Sequence, residues 1–166
     1  MDSKMLDENK QFTFTIKQLT NLFNIQIEKF YDFLTISYEG DRDTEEDVLS
    51  YEQFEEFRKK NFGSKRNYET SCNEVRIIDY INQQLTVEDQ YLLGKSFIQY
   101  LNSRLTLMTD KRIYYLLSLE EDILTIFFYQ EWDTNDTPFN ENLDEYNNPV
   151  VIYTSDELPN NIINNV

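Results

Sequence analysis

The chain lacks histidine and alanine, and it has one cysteine, three glycines and three prolines among 166 residues. Histidine is the most usual group for acid–base catalysis near neutral pH, and its absence with a single cysteine excludes metal sites built from these residues. The glycines, Gly40, Gly63 and Gly94, are too few and too far apart for a phosphate-binding loop. Cys72 has no identifiable base partner. We therefore expect a protein that is not an enzyme and that binds no cofactor and no metal.

The single cysteine also excludes an intrachain disulfide and suits a reducing compartment. Residues 1–10 contain acids and lack the apolar stretch of a secretory signal, and no apolar run approaches the roughly 20 residues that a bilayer span needs. We therefore expect a cytoplasmic location. The lack of alanine, together with abundant Asn, Ile, Tyr and Phe, is typical of an AT-rich coding sequence, as in a low-GC bacterium or its phage.

Cations are scarce and unevenly distributed. The formal net charge is −16, and residues 113–166 contain eleven carboxylates and no lysine or arginine. Residues 1–112 are closer to balance, with twenty acids against fifteen bases. Nucleic acids and anionic membranes both bind positive surfaces, so neither is expected as a direct partner. The expected partner is a basic protein, such as a toxin or a nucleic-acid-binding enzyme.

The C-terminal third has the pattern of a β-sheet. Two apolar and aromatic runs, residues 112–119 and 123–132, are joined by three acids and predict an antiparallel hairpin. Both faces of each run are largely apolar, so a helical layer should cover the sheet. Val150–Thr154 predicts a third strand, and residues 105–108 predict a short additional one.

The N-terminal two thirds predict about four helices. Apolar residues at spacings of three and four predict a helix over residues 15–34. Apolar residues at the same spacings predict further helices over residues 50–63, 71–85 and 86–104, and each begins with Ser or Thr followed three residues later by an acid or Gln.

Helices first and strands last indicate an α+β fold, with the N-terminal helices packed on a C-terminal antiparallel sheet of three to four strands. After a mobile N-terminus at residues 1–10, we expect a single domain over residues 11–166. Its helical part covers about 15–104 and its β part about 105–158. A monomer or a homodimer is expected.

Residues 15–34 also resemble a helix-turn-helix motif over about twenty residues. The residues that match its core and turn positions are Leu19, Thr20, Asn24, Ile25, Phe30 and Phe33. The resemblance implies a DNA-binding transcription regulator. However, the recognition helix would be residues 26–32, where one cation is set against two acids.

The acidic segment 39–47 resembles half a calcium loop in composition, but it lacks the ligand alternation and is predicted to be a solvated turn.

The strongest candidate site is the predicted acidic loop over residues 131–146, which has aromatic residues among its acids and no cation. The leading hypothesis is an acidic inhibitor of a basic partner, either an immunity or antitoxin-type protein against a toxin such as a nuclease, or a phage-type nucleic-acid mimic. The alternatives are the DNA-binding regulator and a non-catalytic scaffold domain. The predicted partner-binding residues are Glu131, Trp132, Asp133, Asp136, Phe139, Glu141, Asp144, Glu145 and Tyr146.

Overall fold

The computed structural model describes residues 21–38, 49–81, 84–133 and 148–158. These residues form a mixed α+β fold, as predicted, but the helices and strands are interspersed along the chain. The predicted order of N-terminal helices followed by a C-terminal sheet is therefore wrong. The elements are β1 (Ile25–Phe30), β2 (Phe33–Tyr38), α1 (Tyr51–Phe62), α2 (Lys65–Cys72), β3 (Glu74–Arg76), α3 (Ile77–Tyr80), α4 (Val87–Leu105), β4 (Ile113–Glu120), β5 (Ile123–Gln130) and β6 (Val150–Thr154).

The main sheet has four antiparallel strands in the order β3-β5-β4-β6. The predicted hairpin is confirmed as β4 and β5, and the predicted third strand is confirmed as β6. The hairpin turns at Glu121 and Asp122, whose φ angles of 48° and 63° are left-handed. Two consecutive left-handed residues match the twist of a tight hairpin, and Asp tolerates this conformation better than most residues.

Helix α4 packs on one face of this sheet. It begins at the predicted capping box, in which Thr86 and Asp89 exchange hydrogen bonds between side chain and backbone. Its apolar stripe has the three- and four-residue spacing of an amphipathic helix, and it packs with alternate residues of β4 and β5. The core includes Leu93, Phe97, Ile98, Leu101 and Leu105 from the helix, and Ile113, Tyr115, Leu117, Leu124, Ile126 and Phe128 from the strands.

The predicted helix over residues 15–34 is wrong from residue 25 onward, because β1 and β2 form a two-stranded antiparallel sheet there. The chain reverses at Tyr31 and Asp32, and Tyr31 has a φ of 52°. Alternate residues of both strands, including Ile25 and Leu34, pack on the core. The apolar residues here therefore have the two-residue repeat of a strand, and not the three- and four-residue spacing of a helix. Residues 26–32 are strand and turn, so they are not a recognition helix. Residues 15–20 lie outside the described residues.

Residues 71–85 are also not the predicted helix. Helix α2 begins earlier, with Ser64 accepting a hydrogen bond from the Asn67 backbone, and Ser71 lies near its end. β3 follows and pairs with β5, and α3 is a single turn. In so acidic a chain, Ser followed three residues later by an acid arises often without capping a helix. Val75 pairs with Ile126 and is buried in the sheet, and this burial favours a strand here over a helix.

Helix α1 agrees with its prediction. Ser50 and Gln53 form the capping box, and the helix ends at Gly63, whose φ of 73° favours glycine.

The strand predicted at 105–108 is wrong, because Leu105 ends α4 and residues 106–108 form a turn that leaves Leu107 86% exposed. β3 is the fourth strand instead. The acidic segment 39–47 and the N-terminus 1–10 lie outside the described residues.

Candidate functional site

The residues that precede the predicted acidic loop are attached to a buried carboxylate, that of Glu69 on α2. Glu69 is fully buried, and its two oxygens accept four hydrogen bonds. The donors are the backbone N–H groups of Leu34 and Gln130, each at 2.8 Å, the Gln130 side-chain amide at 2.6 Å and the Trp132 indole N–H at 2.9 Å. Glu69 therefore connects α2 to β2, to the end of β5 and to the first aromatic residue of the candidate site.

All four of these donors are neutral groups. Burial removes the carboxylate from water and raises the pKa of Glu69 above its ordinary value, while the hydrogen bonds from Gln130, Leu34 and Trp132 oppose that rise. A carboxylate at this depth is costly unless its oxygens are fully hydrogen-bonded. Donors from β2 and from the end of β5 meet this requirement at Glu69.

Asn73, four residues after Glu69, also hydrogen-bonds through its side chain to backbone groups of β2 and β5. Its side-chain amide donates to the carbonyls of Leu34 and Phe128 at 2.9 and 3.3 Å, and its oxygen accepts from the Ile36 N–H at 3.0 Å. β3 pairs with β5 only as far as Phe127. Glu69 and Asn73 thus satisfy backbone groups of β2 and of the last residues of β5, and they join the two sheets.

Trp132 is held on its ring faces as well as by its N–H. Its ring centroid lies 4.6 Å from that of Phe33, and the ammonium nitrogens of Lys111 and Lys65 lie 3.3 and 4.7 Å from it. Burial lowers the pKa of Lys111, and the carboxylates of Asp32 and Glu69 partly counter this effect. The predicted loop contains no cation of its own, but the fold brings two lysines to its first aromatic residue.

Glu131 lies on the opposite face of the β5 chain from Gln130, away from α4. Its backbone N–H donates to Arg112 O at 2.8 Å, and its carboxylate accepts a hydrogen bond from the Tyr114 hydroxyl at 3.1 Å. The Tyr114 ring stacks on that of Tyr129 with centroids 5.3 Å apart. Asp133 is exposed. The structure therefore brings Glu131, Trp132 and Asp133 together at one end of β5. The remaining predicted site residues, Asp136, Phe139, Glu141, Asp144, Glu145 and Tyr146, lie outside the described residues.

A second acidic feature lies at the other end of β5, and sequence reasoning missed it. It is a groove of about 340 Å³, which we call the hairpin groove, lined by Glu74, Arg76, Glu120, Glu121, Ile123 and Thr125. Three carboxylates face one guanidinium there, and Arg76 is also 4.0 Å from Asp79. The alternation of β5 could have placed Ile123 and Thr125 on one face with Glu131. Glu74 was not recognisable, because its segment was predicted to be a helix.

The ranges that the structure describes contain neither a cluster of metal-ligating side chains nor a membrane-spanning helix. Within those ranges, no three residues among His, Cys, Asp and Glu lie close enough together to hold a metal ion. Within the same ranges, none of the helices is both long and apolar enough to cross a membrane.

The described residues thus define a mixed α+β protein with acidic groups at both ends of β5, around Glu131 and in the hairpin groove. The chain belongs to the Uncharacterized protein PM0498 family, whose family model matches residues 1–165. No curated protein and no solved structure matches it.

Proposed function

We propose that this protein is a non-catalytic, cytoplasmic inhibitor that binds and neutralises a basic protein. It would act as an immunity or antitoxin-type protein against a toxin such as a nuclease, or as a phage-type mimic of nucleic acid. The observation that carries the proposal is the charge of −16, with no lysine or arginine after Arg112. Such a surface repels itself in isolation, and a basic partner supplies the missing charge.

The geometry at the end of β5 supports this proposal. Carboxylates can replace phosphates in a cationic groove only if they are presented from a stable support, because ordering a loose segment costs free energy on binding. The hydrogen bonds of Glu69 fix Trp132 and the backbone of Gln130, so Glu131 and Asp133 project from a rigid base. The rest of the predicted acidic loop, residues 134–146, follows this base in the sequence.

The hairpin groove extends the acidic surface along the same strand. β5 has eight residues, so Glu131 and the groove are separated by roughly 25 Å at about 3.4 Å per residue. A standard interface buries about 800 Å² of each partner, so a single interface can include both Glu131 and the hairpin groove. Acids at the rim would mainly raise the association rate, by factors of about 10 to 10³ over an uncharged surface.

The main alternative was a DNA-binding regulator. The recognition helix of such a regulator is predicted at residues 26–32, which form β1 and the following turn instead. A scaffold domain remains compatible with the fold, but it would bind without inhibiting. An electrophoretic mobility assay with random duplex DNA at low salt separates the regulator from the inhibitor. We expect no shift, and binding would contradict the inhibitor.

The decisive experiment uses the protein encoded by the neighbouring gene as the candidate target, with association kinetics measured at low salt. One variant changes Asp133, Asp136, Asp144 and Glu145 to Asn or Gln. A matched variant with the same loss of charge changes Asp41, Asp43, Glu45 and Asp47. We expect the first to associate at least about tenfold more slowly and the second to resemble the parent.

A third variant, in which Glu74, Glu120 and Glu121 are changed to Gln, tests the hairpin groove in the same assay. It should also slow association. If the second variant fails to bind while the first behaves like the parent, the site is at 41–47 instead. If none of the three changes the rate, the acidic interface itself is wrong.

A further inference from the structure

Exposed large apolar side chains are concentrated in one region of the described residues. Five of the six lie at the turn between β1 and β2, immediately before α1 and on α1, whereas the sixth, Leu107, lies after α4. We call these five the α1 patch. Their exposed fractions are 39% for Phe30, 37% for Tyr31, 38% for Leu49, 43% for Tyr51 and 48% for Phe57. Large apolar side chains exposed near one another on a folded protein indicate an interaction site.

Four of the five members of the α1 patch contact one another, whereas the ring of Phe57 packs on that of Phe62, with centroids 6.1 Å apart. The Tyr31 hydroxyl donates to the Leu49 carbonyl at 2.7 Å, and the Tyr31 ring lies 4.5 Å from Phe30 and 5.1 Å from Tyr51. The buried ring of Phe54 lies beneath them, 5.0 Å from Phe30 and 5.5 Å from Tyr31. Rings held in this way lose little conformational entropy when a partner covers them.

The charges on the exposed face of α1 indicate what covers the patch. Glu52 and Glu56 are exposed in the first half of the helix, and Lys59 and Lys60 are exposed in the second half. This face is therefore neutral in a chain whose net charge is −16. A basic partner would meet two lysines here. A second α1 in antiparallel orientation would instead place its lysines against these acids and its acids against these lysines.

We propose that the protein forms a homodimer through the α1 patch, with the two α1 helices packed antiparallel about a twofold axis. A twofold interface uses the same surface on both copies and must be complementary to itself. The acid-then-base order along α1 meets that condition, and the aromatic rings at its border supply apolar area. This dimer leaves Glu131 and the hairpin groove, on the main sheet, outside the helix–helix contact.

The oligomeric state of the full-length protein tests the proposal. Light scattering coupled to size-exclusion chromatography should give the mass of a dimer at micromolar concentration. Changing Tyr51→Ser together with Phe57→Ser should weaken dimerisation by about tenfold or more, because aromatic anchors dominate such interfaces. The matched control is Leu107→Ser, which removes an even more exposed apolar side chain outside the patch and should leave the dimer intact. A monomeric parent overturns the proposal.

A charge exchange tests the antiparallel arrangement. One variant combines Glu52→Lys with Glu56→Lys, and the other combines Lys59→Glu with Lys60→Glu. Each alone should be monomeric, because it brings like charges together, and an equimolar mixture should form a heterodimer. Circular dichroism of each variant verifies that α1 is still folded. Dimers formed equally well by the separate variants would overturn the arrangement.

If a charge variant loses its helix, the Tyr51 and Phe57 variant decides in its place, and retention of its dimer overturns the proposal. These samples contain no other protein. The result is therefore independent of whether the protein inhibits a basic target.

Discussion

Glu69 shows how much one side chain contributes to this fold. Replacing Glu69→Ala would remove the acceptor for four N–H donors and leave a cavity among β2, β5 and Trp132. Each unsatisfied buried donor costs about 1–3 kcal/mol before relaxation. We expect the free energy of unfolding to fall by about 3 kcal/mol or more, measured by urea denaturation. Glu74→Ala, on the exposed side of β3, is the control and should change it by about 0.5 kcal/mol or less.

The carboxyl group of Glu69 should make the free energy of unfolding depend on pH. Burial raises the pKa of Glu69, so the folded state binds the proton more tightly than the unfolded state does. The stability contributed by this group is present below the ordinary glutamate pKa and is lost as the pH rises through the folded pKa. Glu69→Gln removes the titration. The unfolding free energy of the parent, relative to this variant, should therefore decrease as the pH rises from acid to neutral. An increase would mean that the hydrogen bonds outweigh burial.

At the scale of elements, Gly94 allows α4 to lie close to the main sheet. A Cβ atom at this position would lie 2.8 Å from Leu124 Cδ2 and 3.3 Å from Ile126 Cδ1. Both residues are buried, so relief of this overlap requires repacking of the core.

We therefore expect Gly94→Ala to lower the midpoint of thermal unfolding, at a net cost of about 1 kcal/mol. The overlap should outweigh the gain of about 1 kcal/mol in helix propensity. Lys95→Ala, on the exposed side of the same helix, makes no such contact and should leave the midpoint nearly unchanged. An increase for Gly94→Ala would show that Leu124 and Ile126 move aside at little cost.

Elements specified by local chemistry were predictable from the sequence. The capping boxes at Ser50 and Thr86 determine where α1 and α4 begin, and the acidic turn between two β-branched runs determines the β4–β5 hairpin. The first two strands were not predictable, because their residues satisfy helical spacing by coincidence. Their turn contains no glycine, and Tyr31 adopts a left-handed conformation that its residue type does not suggest.

The candidate site was predictable only in part, for a related reason. The acids and aromatic residues from Glu131 onward are visible in the sequence as a segment without cations. The partners of Trp132, which are Glu69, Lys65 and Lys111, come from two distant parts of the chain. Only the packing of β2 and α2 against the end of β5 brings them together, and no local pattern encodes that arrangement.

At the scale of the whole molecule, a net charge of −16 destabilises the folded state by self-repulsion. Salt screens this repulsion over about 8–10 Å at physiological ionic strength. We therefore expect the midpoint of thermal unfolding to rise when sodium chloride is added to a low-salt buffer. Scanning calorimetry with sucrose at matched osmolality as a control isolates the ionic effect. A falling midpoint would mean that ion pairs such as Arg58 with Glu55 outweigh the general repulsion.

Trp132 is the only tryptophan in the chain, so its fluorescence reports one place in the molecule. That place is the junction at which Glu69, Phe33 and Lys111 hold the start of the acidic segment. A half-buried indole should emit at shorter wavelength than one in water, and release from the junction should shift the emission to the red. Comparison of this signal with circular dichroism during denaturation distinguishes local opening of the junction from loss of the helices. A basic target that docks at residues 131–133 should change the same emission, so the protein can be titrated without a label.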